Sequence, residues 1–186
     1  FKVNTMAQPS RIFKANIQIA NMDNHYYNNH LLTIAQHPSE TDERMMVRLL
    51  AFALNARENL TFAEAIIDTN QADLWDKDYN EQISLWISVG LPDEKIIRKA
   101  TNRAKQVIIY SYGGRVADMW FSKLKLHDYT NLKVVNLTQE DTHSLANLAN
   151  RGMKLNFTIQ ENEVMITNDT IDINIAPQTL KEFTSQ

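Results

Sequence analysis

Apolar and polar positions alternate with period two over residues 11–20, with Phe13, Ala15, Ile17 and Ile19 on one side and Lys14, Asn16 and Gln18 on the other. That is the pattern of a strand with one buried face. Asp23-Asn24 supplies a turn and Tyr26 to Ala35 reads as a returning strand, so the chain is expected to open with a β-hairpin. The period then changes. After Pro38-Ser39, the residues Met46, Leu49, Leu50 and Ala53 recur at i, i+3, i+4 and i+7, which predicts a helix capped by Ser39 with Glu40, Asp42 and Glu43 in its positive first turn.

Residues 56–74 carry no decisive pattern. Ile83 to Val89 is apolar and β-favouring and stops at Gly90-Leu91-Pro92, as a buried strand would. Pro92 fits a first helical position, and Ile96, Ile97, Ala100 and Ala104 give the helix that follows an inner face. Val107 to Tyr112 predicts a strand, Gly113-Gly114 a break, Arg115 to Leu126 a helix and Leu132 to Leu137 another strand. Thr138 is positioned to cap a helix ending at Gly152. The last 35 residues alternate through Met153, Leu155, Phe157 and Ile159, then Val164 and Ile166, then Ile171, Ile173 and Ile175. Turns at Glu161-Asn162 and Asn168-Asp169 make this an antiparallel meander. The expected class is α/β (α+β): a mixed β-sheet flanked by helices, with an N-terminal hairpin and a C-terminal meander.

Length and composition narrow the class without giving an activity. The 186 residues read as a single domain, 1–186, in which Phe1 to Pro9 is expected to be poorly anchored. Cys is absent, which excludes disulfides, thiolate zinc sites and a cysteine nucleophile. Gly and Pro number 4 each, too few for collagen-like or Gly-rich disordered chains. No stretch approaches the roughly 20 apolar residues that span a bilayer, and Phe1–Pro9 lacks the basic-then-apolar pattern of a secretory signal. A cytoplasmic, bacterial-type protein without membrane contact is the expectation. Four Asn-x-Ser/Thr matches, at Asn59, Asn136, Asn156 and Asn168, then carry no meaning. The net charge of −3 requires any nucleic-acid contact to use a local basic patch.

Two constellations could carry chemistry. Glu40, Arg44 and Arg48 are spaced four apart and share one helix face, so a carboxylate and two guanidiniums could line a site for a metal and phosphate. The plainer explanation is a capped helix with a surface ion pair worth a few tenths of a kcal/mol. Lys95, Arg98, Lys99 and Asn102 form a polar stripe that could hold a nucleic-acid backbone, although such stripes are usually just a solvated face. His25, His30, His37, His127 and His143 lack zinc-site spacing. Dinucleotide, Walker and nucleophile-elbow motifs are absent.

The segments His37-Pro-Ser-Glu-Thr-x-x-Arg-Met-Met-x-Arg-Leu-Leu50, Leu85-Trp-Ile-x-x-Gly-Leu-Pro-Asp-Glu94 leading to Lys99-Ala100, and Tyr110-x-Tyr to Trp120 together resemble the YaeQ family, over residues 11 to 178. The resemblance implies a rearranged PD-(D/E)XK fold with a restriction-endonuclease-like core. Such nucleases hold Mg²⁺ on two or three carboxylates beside a lysine, so that the metal activates a water and screens the phosphate. The family pattern places an Asp and a Glu where this chain has Ser84 and Ser88, and an arginine where it has Asn24. Because 84, 86 and 88 share a strand face, both losses strike the same side. A neutral hydroxyl replaces an anion poorly as ligand to a hard cation.

The resemblance therefore implies a degenerate metal site and a non-catalytic binding factor, with no cofactor expected. Arg44, Arg48, Lys95, Arg98 and Lys99 would hold nucleic acid or an acidic protein surface. The alternative is a Mg²⁺-dependent phosphodiester-cleaving nuclease with Glu40 as metal ligand. In it Lys99 or Lys14 is the catalytic lysine, and Asp73, Asp76 or Glu81 the substitute carboxylate. Whether the protein is an enzyme stays open at this level.

Overall fold

The computed structural model describes residues 8–64 and 68–185. Most of the N-terminal segment 1–9 lies outside them. The hairpin is β1 (Arg11–Asn21) and β2 (Tyr26–Gln36), paired antiparallel from Arg11 with Gln36 to Asn21 with Tyr26. Helix α1 (Asp42–Asn55) follows, then β3 (Leu60–Phe62), β4 (Leu74–Lys77) and β5 (Ile83–Val89). Next come α2 (Glu94–Arg103), β6 (Ala104–Tyr112), α3 (Arg115–Lys123), β7 (Leu132–Leu137) and α4 (Gln139–Ala146). The chain ends in β8 (Gly152–Gln160), β9 (Glu163–Thr167), β10 (Asp172–Ile175) and β11 (Gln178–Lys181).

The mixed α+β class, the N-terminal hairpin and the C-terminal meander are as expected, but the strands form two sheets rather than one. The first has the order β10-β9-β8-β1-β2 and the second β11-β7-β6-β5-β4-β3. The join in the first sheet is a parallel pairing of β1 with β8, from Lys14 with Gly152 to Asn21 with Ile159. Periodicity identifies both strands but carries no information about their partner. In the second sheet β5, β6 and β7 run parallel, linked through α2 and α3.

Helix α1 lies between the sheets. Every residue from Met45 to Ala53 is buried, so the helix presents an apolar surface on all sides in place of the single stripe that spacing suggested. The large core joins α1 and Leu145 of α4 to the inner face of the first sheet and to Leu85, Ile87 and Val89 of β5. A second core, around Trp86, Ile97, Val107 and Ile109, packs α2 and α3 on the opposite face of the second sheet. The one charged residue within the buried run of α1 is Arg48.

Several element ends differ from expectation for local reasons. Thr41, not Ser39, caps α1, its Oγ1 accepting from the Arg44 amide at 3.1 Å. Ser39 is held in the preceding turn, where its amide donates to His37 Nδ1 and the Glu40 amide to the His37 carbonyl. Asp93 caps α2, accepting from the Ile96 amide at 2.9 Å, which puts Pro92 before the helix. Helix α4 stops at Ala146 and α3 at Lys123, each short of the predicted end.

Candidate functional site

A guanidinium cannot be buried without a counter-charge, because its desolvation penalty is several kcal/mol. Arg48 obtains one from Glu40, which lies just ahead of the helix. Arg48 Nε donates to Glu40 Oε2 at 3.0 Å and Nη2 to Oε1 at 2.5 Å, a forked pair in which both side chains are at most 2% exposed. Nη2 also donates to the Ala35 carbonyl of β2. Arg44, one turn earlier, donates Nη1–H to Glu40 Oε2 at 2.7 Å and Nη2–H to Asp73 Oδ1 at 2.7 Å. Asp73 Oδ2 accepts the Val89 amide at 2.7 Å, and Arg44 reaches the Val89 carbonyl at 3.2 Å. Two carboxylates and two guanidiniums thus form one neutral network joining β2, α1, the loop residue just before β4, and the end of β5.

Burial alone would lower the Arg44 pKa, but the charges and hydrogen bonds of Asp73 and Glu40 outweigh it and hold the group above its ordinary value. Tyr112, at the end of β6, adjoins this network. Burial raises its pKa first; nearby Arg44 opposes that shift, and Glu43 and Glu40 reinforce it.

The network faces a cleft of about 250 Å³ at the carboxyl end of β5, lined by Arg44, Asp73, Ser88, Val89, Pro92 and Ile96. Carboxyl ends of parallel strands are the usual ligand position in α/β sheets. Arg44 and Asp73 are the members of the ion network that line it, with 22% and 9% of their side chains exposed.

The proposed cluster is only partly assembled. Glu40, Arg44 and Arg48 meet, as their spacing allows. Ser88 lines the cleft beside Arg44 and Asp73, and its Oγ accepts from Trp86 Nε1 at 3.0 Å. Ser84 does not line it. Both serines share the Trp86 side of β5, which faces the second core, whereas Leu85, Ile87 and Val89 face α1. Asp76 lies opposite Leu85 and pairs with Arg57, and Glu81 pairs with Lys77 in the β4–β5 turn, at the far end of the strand from Ser88. Lys14 is on the outward face of the first sheet, bonded to Thr33. Lys99 donates to Asn70 Oδ1 and Arg103 to the Asn70 carbonyl, so both fasten the loop that leads to Asp73.

These surroundings do not fit Mg²⁺, which needs several anionic or neutral oxygens in near-octahedral array. Both Glu40 oxygens serve guanidiniums and both Asp73 oxygens accept hydrogen bonds. Among the described residues, no three Asp, Glu or His side chains converge as ligands. Arg48 is also withdrawn from the polyanion-binding set, since a side chain 2% exposed between two sheets cannot reach a polymer.

The opposite side of the second sheet has a different character. Residues 94–125, spanning α2, β6 and α3, carry eight Lys and Arg against two Asp and Glu, in a chain of net charge −3. Lys95, Arg98, Lys99, Arg103, Lys105, Arg115, Lys123 and Lys125 are all exposed. Trp120 of α3 donates to the Pro92 carbonyl ahead of α2 at 2.7 Å, tying the two helices into one layer. Sequence reasoning found the α2 stripe and missed the rest, because the α3 cations join it only once both helices are known to cover one face.

A family model described as YaeQ protein matches residues 6–177. The chain belongs to the YaeQ family. It is 35% identical over 172 residues to the uncharacterised protein YaeQ of Escherichia coli (strain K12), covering 91% of this chain and 95% of that one. The fold matches the crystal structure of YaeQ protein from Xanthomonas axonopodis pv. citri with a TM-score of 0.90 and 41% identity, over 92% of this chain and 98% of that one. The YaeQ protein of Pseudomonas syringae gives a TM-score of 0.89 and 32% identity, over 95% and 98%. Among the described residues of this YaeQ chain, no helix is long and apolar enough to cross a membrane.

Proposed function

We propose that this YaeQ-family protein is a non-catalytic nucleic-acid-binding factor that holds the phosphate backbone on its α2–α3 layer. The observation that carries the reading is the local charge: eight exposed cations against two acids within residues 94–125 of an otherwise acidic chain. Lys and Arg contacts to phosphate release counterions and supply most non-specific affinity, so such a patch binds polyanions despite an unfavourable net charge. The non-catalytic part rests on the ion network, whose carboxylates neutralise arginines and have little capacity left to hold a metal.

The test is fluorescence anisotropy with a labelled DNA duplex, set against labelled polyglutamate at the same ionic strength. The reading expects duplex binding that Lys95→Glu with Arg98→Glu removes. Binding of polyglutamate without binding of duplex would assign the layer to an acidic protein partner instead.

A further inference from the structure

The outer face of the first sheet is unlike the rest of the molecule. Strands β1, β2 and β8 are neighbours and contain no Asp or Glu between them, in a chain with 22 such residues. Their registers align side chains into rows across the three strands. Asn29, Gln18 and Asn156 form one row, since Gln18 pairs with Asn29 on β2 and with Asn156 on β8. Adjacent strands are about 4.8 Å apart, so the row is a ladder of three exposed amides, of which Asn156 also donates Nδ2–H to Thr167 Oγ1 at 3.4 Å. On one side lies the row containing Tyr27, and on the other the row of Leu31, Asn16 and Lys154, followed by Lys14 with Thr33. Tyr27 is 62% exposed and Leu31 84% exposed, a large apolar exposure for a sheet face. Two depressions cover this surface, of about 550 Å³ around the amide row and about 410 Å³ around Lys14 and Lys154.

We propose that this face is a platform for single-stranded nucleic acid, an inference that rests on the nucleic-acid reading above but uses a different surface. A base stacks on the Tyr27 ring, the Asn29, Gln18 and Asn156 amides meet exposed base edges, and Lys154 and Lys14 meet phosphates. Tyr27 and Lys154 lie two rows, about 13 Å, and two strands apart, so the phosphate that Lys154 meets belongs to a nucleotide further along the strand than the base on Tyr27. Unpaired nucleotides expose the edges and faces that amides and aromatics recognise, whereas a duplex hides the faces. The lack of carboxylates on these three strands removes the repulsion that an anionic polymer would meet there, the exposed acids of the sheet, Glu163 and Asp172, lying on β9 and β10. A neutral oligosaccharide would use the amides and Tyr27, but would give no reason for lysines and an absence of acids.

The experiment measures anisotropy of a labelled single-stranded oligonucleotide and of the matching duplex with the full chain. Variants are Tyr27→Ala, Tyr27→Phe, the pair Gln18→Ala with Asn156→Ala, and the Lys95→Glu, Arg98→Glu pair. All replaced side chains are exposed, and matched melting curves check the fold. Tyr27→Ala should weaken single-strand binding roughly five-fold or more, the loss expected for one base–aromatic stack, and Tyr27→Phe should retain it. The amide pair should also weaken it, and duplex affinity should stay the same in all three. Single-strand affinity unchanged by Tyr27→Ala and by the amide pair overturns the platform, as does a parent protein that ignores single strands. Duplex binding lost in the α2 pair alone leaves the α2–α3 reading standing in either case, so the two failures are distinguishable.

Discussion

Arg48 and Glu40 are joined by a forked ion pair, Nε to Oε2 at 3.0 Å and Nη2 to Oε1 at 2.5 Å, between two sheets and out of contact with water. Removing one partner of such a pair strands the other charge, whereas replacing both does not. Arg48→Met should therefore cost about 3–5 kcal/mol in urea unfolding. The double change Arg48→Met with Glu40→Gln should be markedly less destabilised. A single variant within about 1 kcal/mol of the parent, the scale of one ordinary hydrogen bond, would show that Glu40 needs no counter-charge.

Tyr110 gives a pH signature from the inter-sheet core. It is buried, and that burial pushes its pKa up to about 12, with the hydrogen bond from Asn55 opposing the shift. The fold thus retains the phenolic proton more tightly than the unfolded chain, whose value is near 10. The resulting stability is intact below pH 10 and is lost as pH rises toward 12, by on the order of 2–3 kcal/mol. Tyr110→Phe should flatten that decline in alkaline denaturation curves. A parent and variant with parallel curves above pH 10 would contradict it.

Much of the fold was legible locally. The strands Ile83–Val89 and Leu132–Leu137 match their predicted bounds, because an apolar run ended by Gly-Leu-Pro or begun after a turn is a short-range signal. The two-sheet arrangement was not legible, since it depends on β1 finding β8 across more than a hundred residues. The run Met45 to Ala53 held more than was read from it: apolar on every side except at Arg48, it marks a helix buried all round and a cation needing an internal partner. Glu40, Arg44 and Arg48 were visible as a spaced set. Asp73 was named only as one of three substitute carboxylates, not as a partner of Arg44, and Tyr112 was not read as part of the set, because they come from a patternless segment and from a strand end that only tertiary folding brings to Arg44.

The occupied carboxylates make a further expectation. Added Mg²⁺ at constant ionic strength should leave the melting temperature of the parent unchanged, because a ligand stabilises a protein only through binding the native state. A rise specific to Mg²⁺ and absent with a matched monovalent salt would show that Glu40 or Asp73 leaves its arginine for the ion, and would restore the nuclease alternative.

The central claim, phosphate binding on the α2–α3 layer, is tested most directly by the salt dependence of duplex affinity. Measured across a KCl series, log K of the parent should fall linearly with log salt, and Lys95→Glu with Arg98→Glu should reduce that slope by about two, roughly one for each lost phosphate contact. An affinity absent even at low salt, or a slope the same in parent and variant, would contradict it.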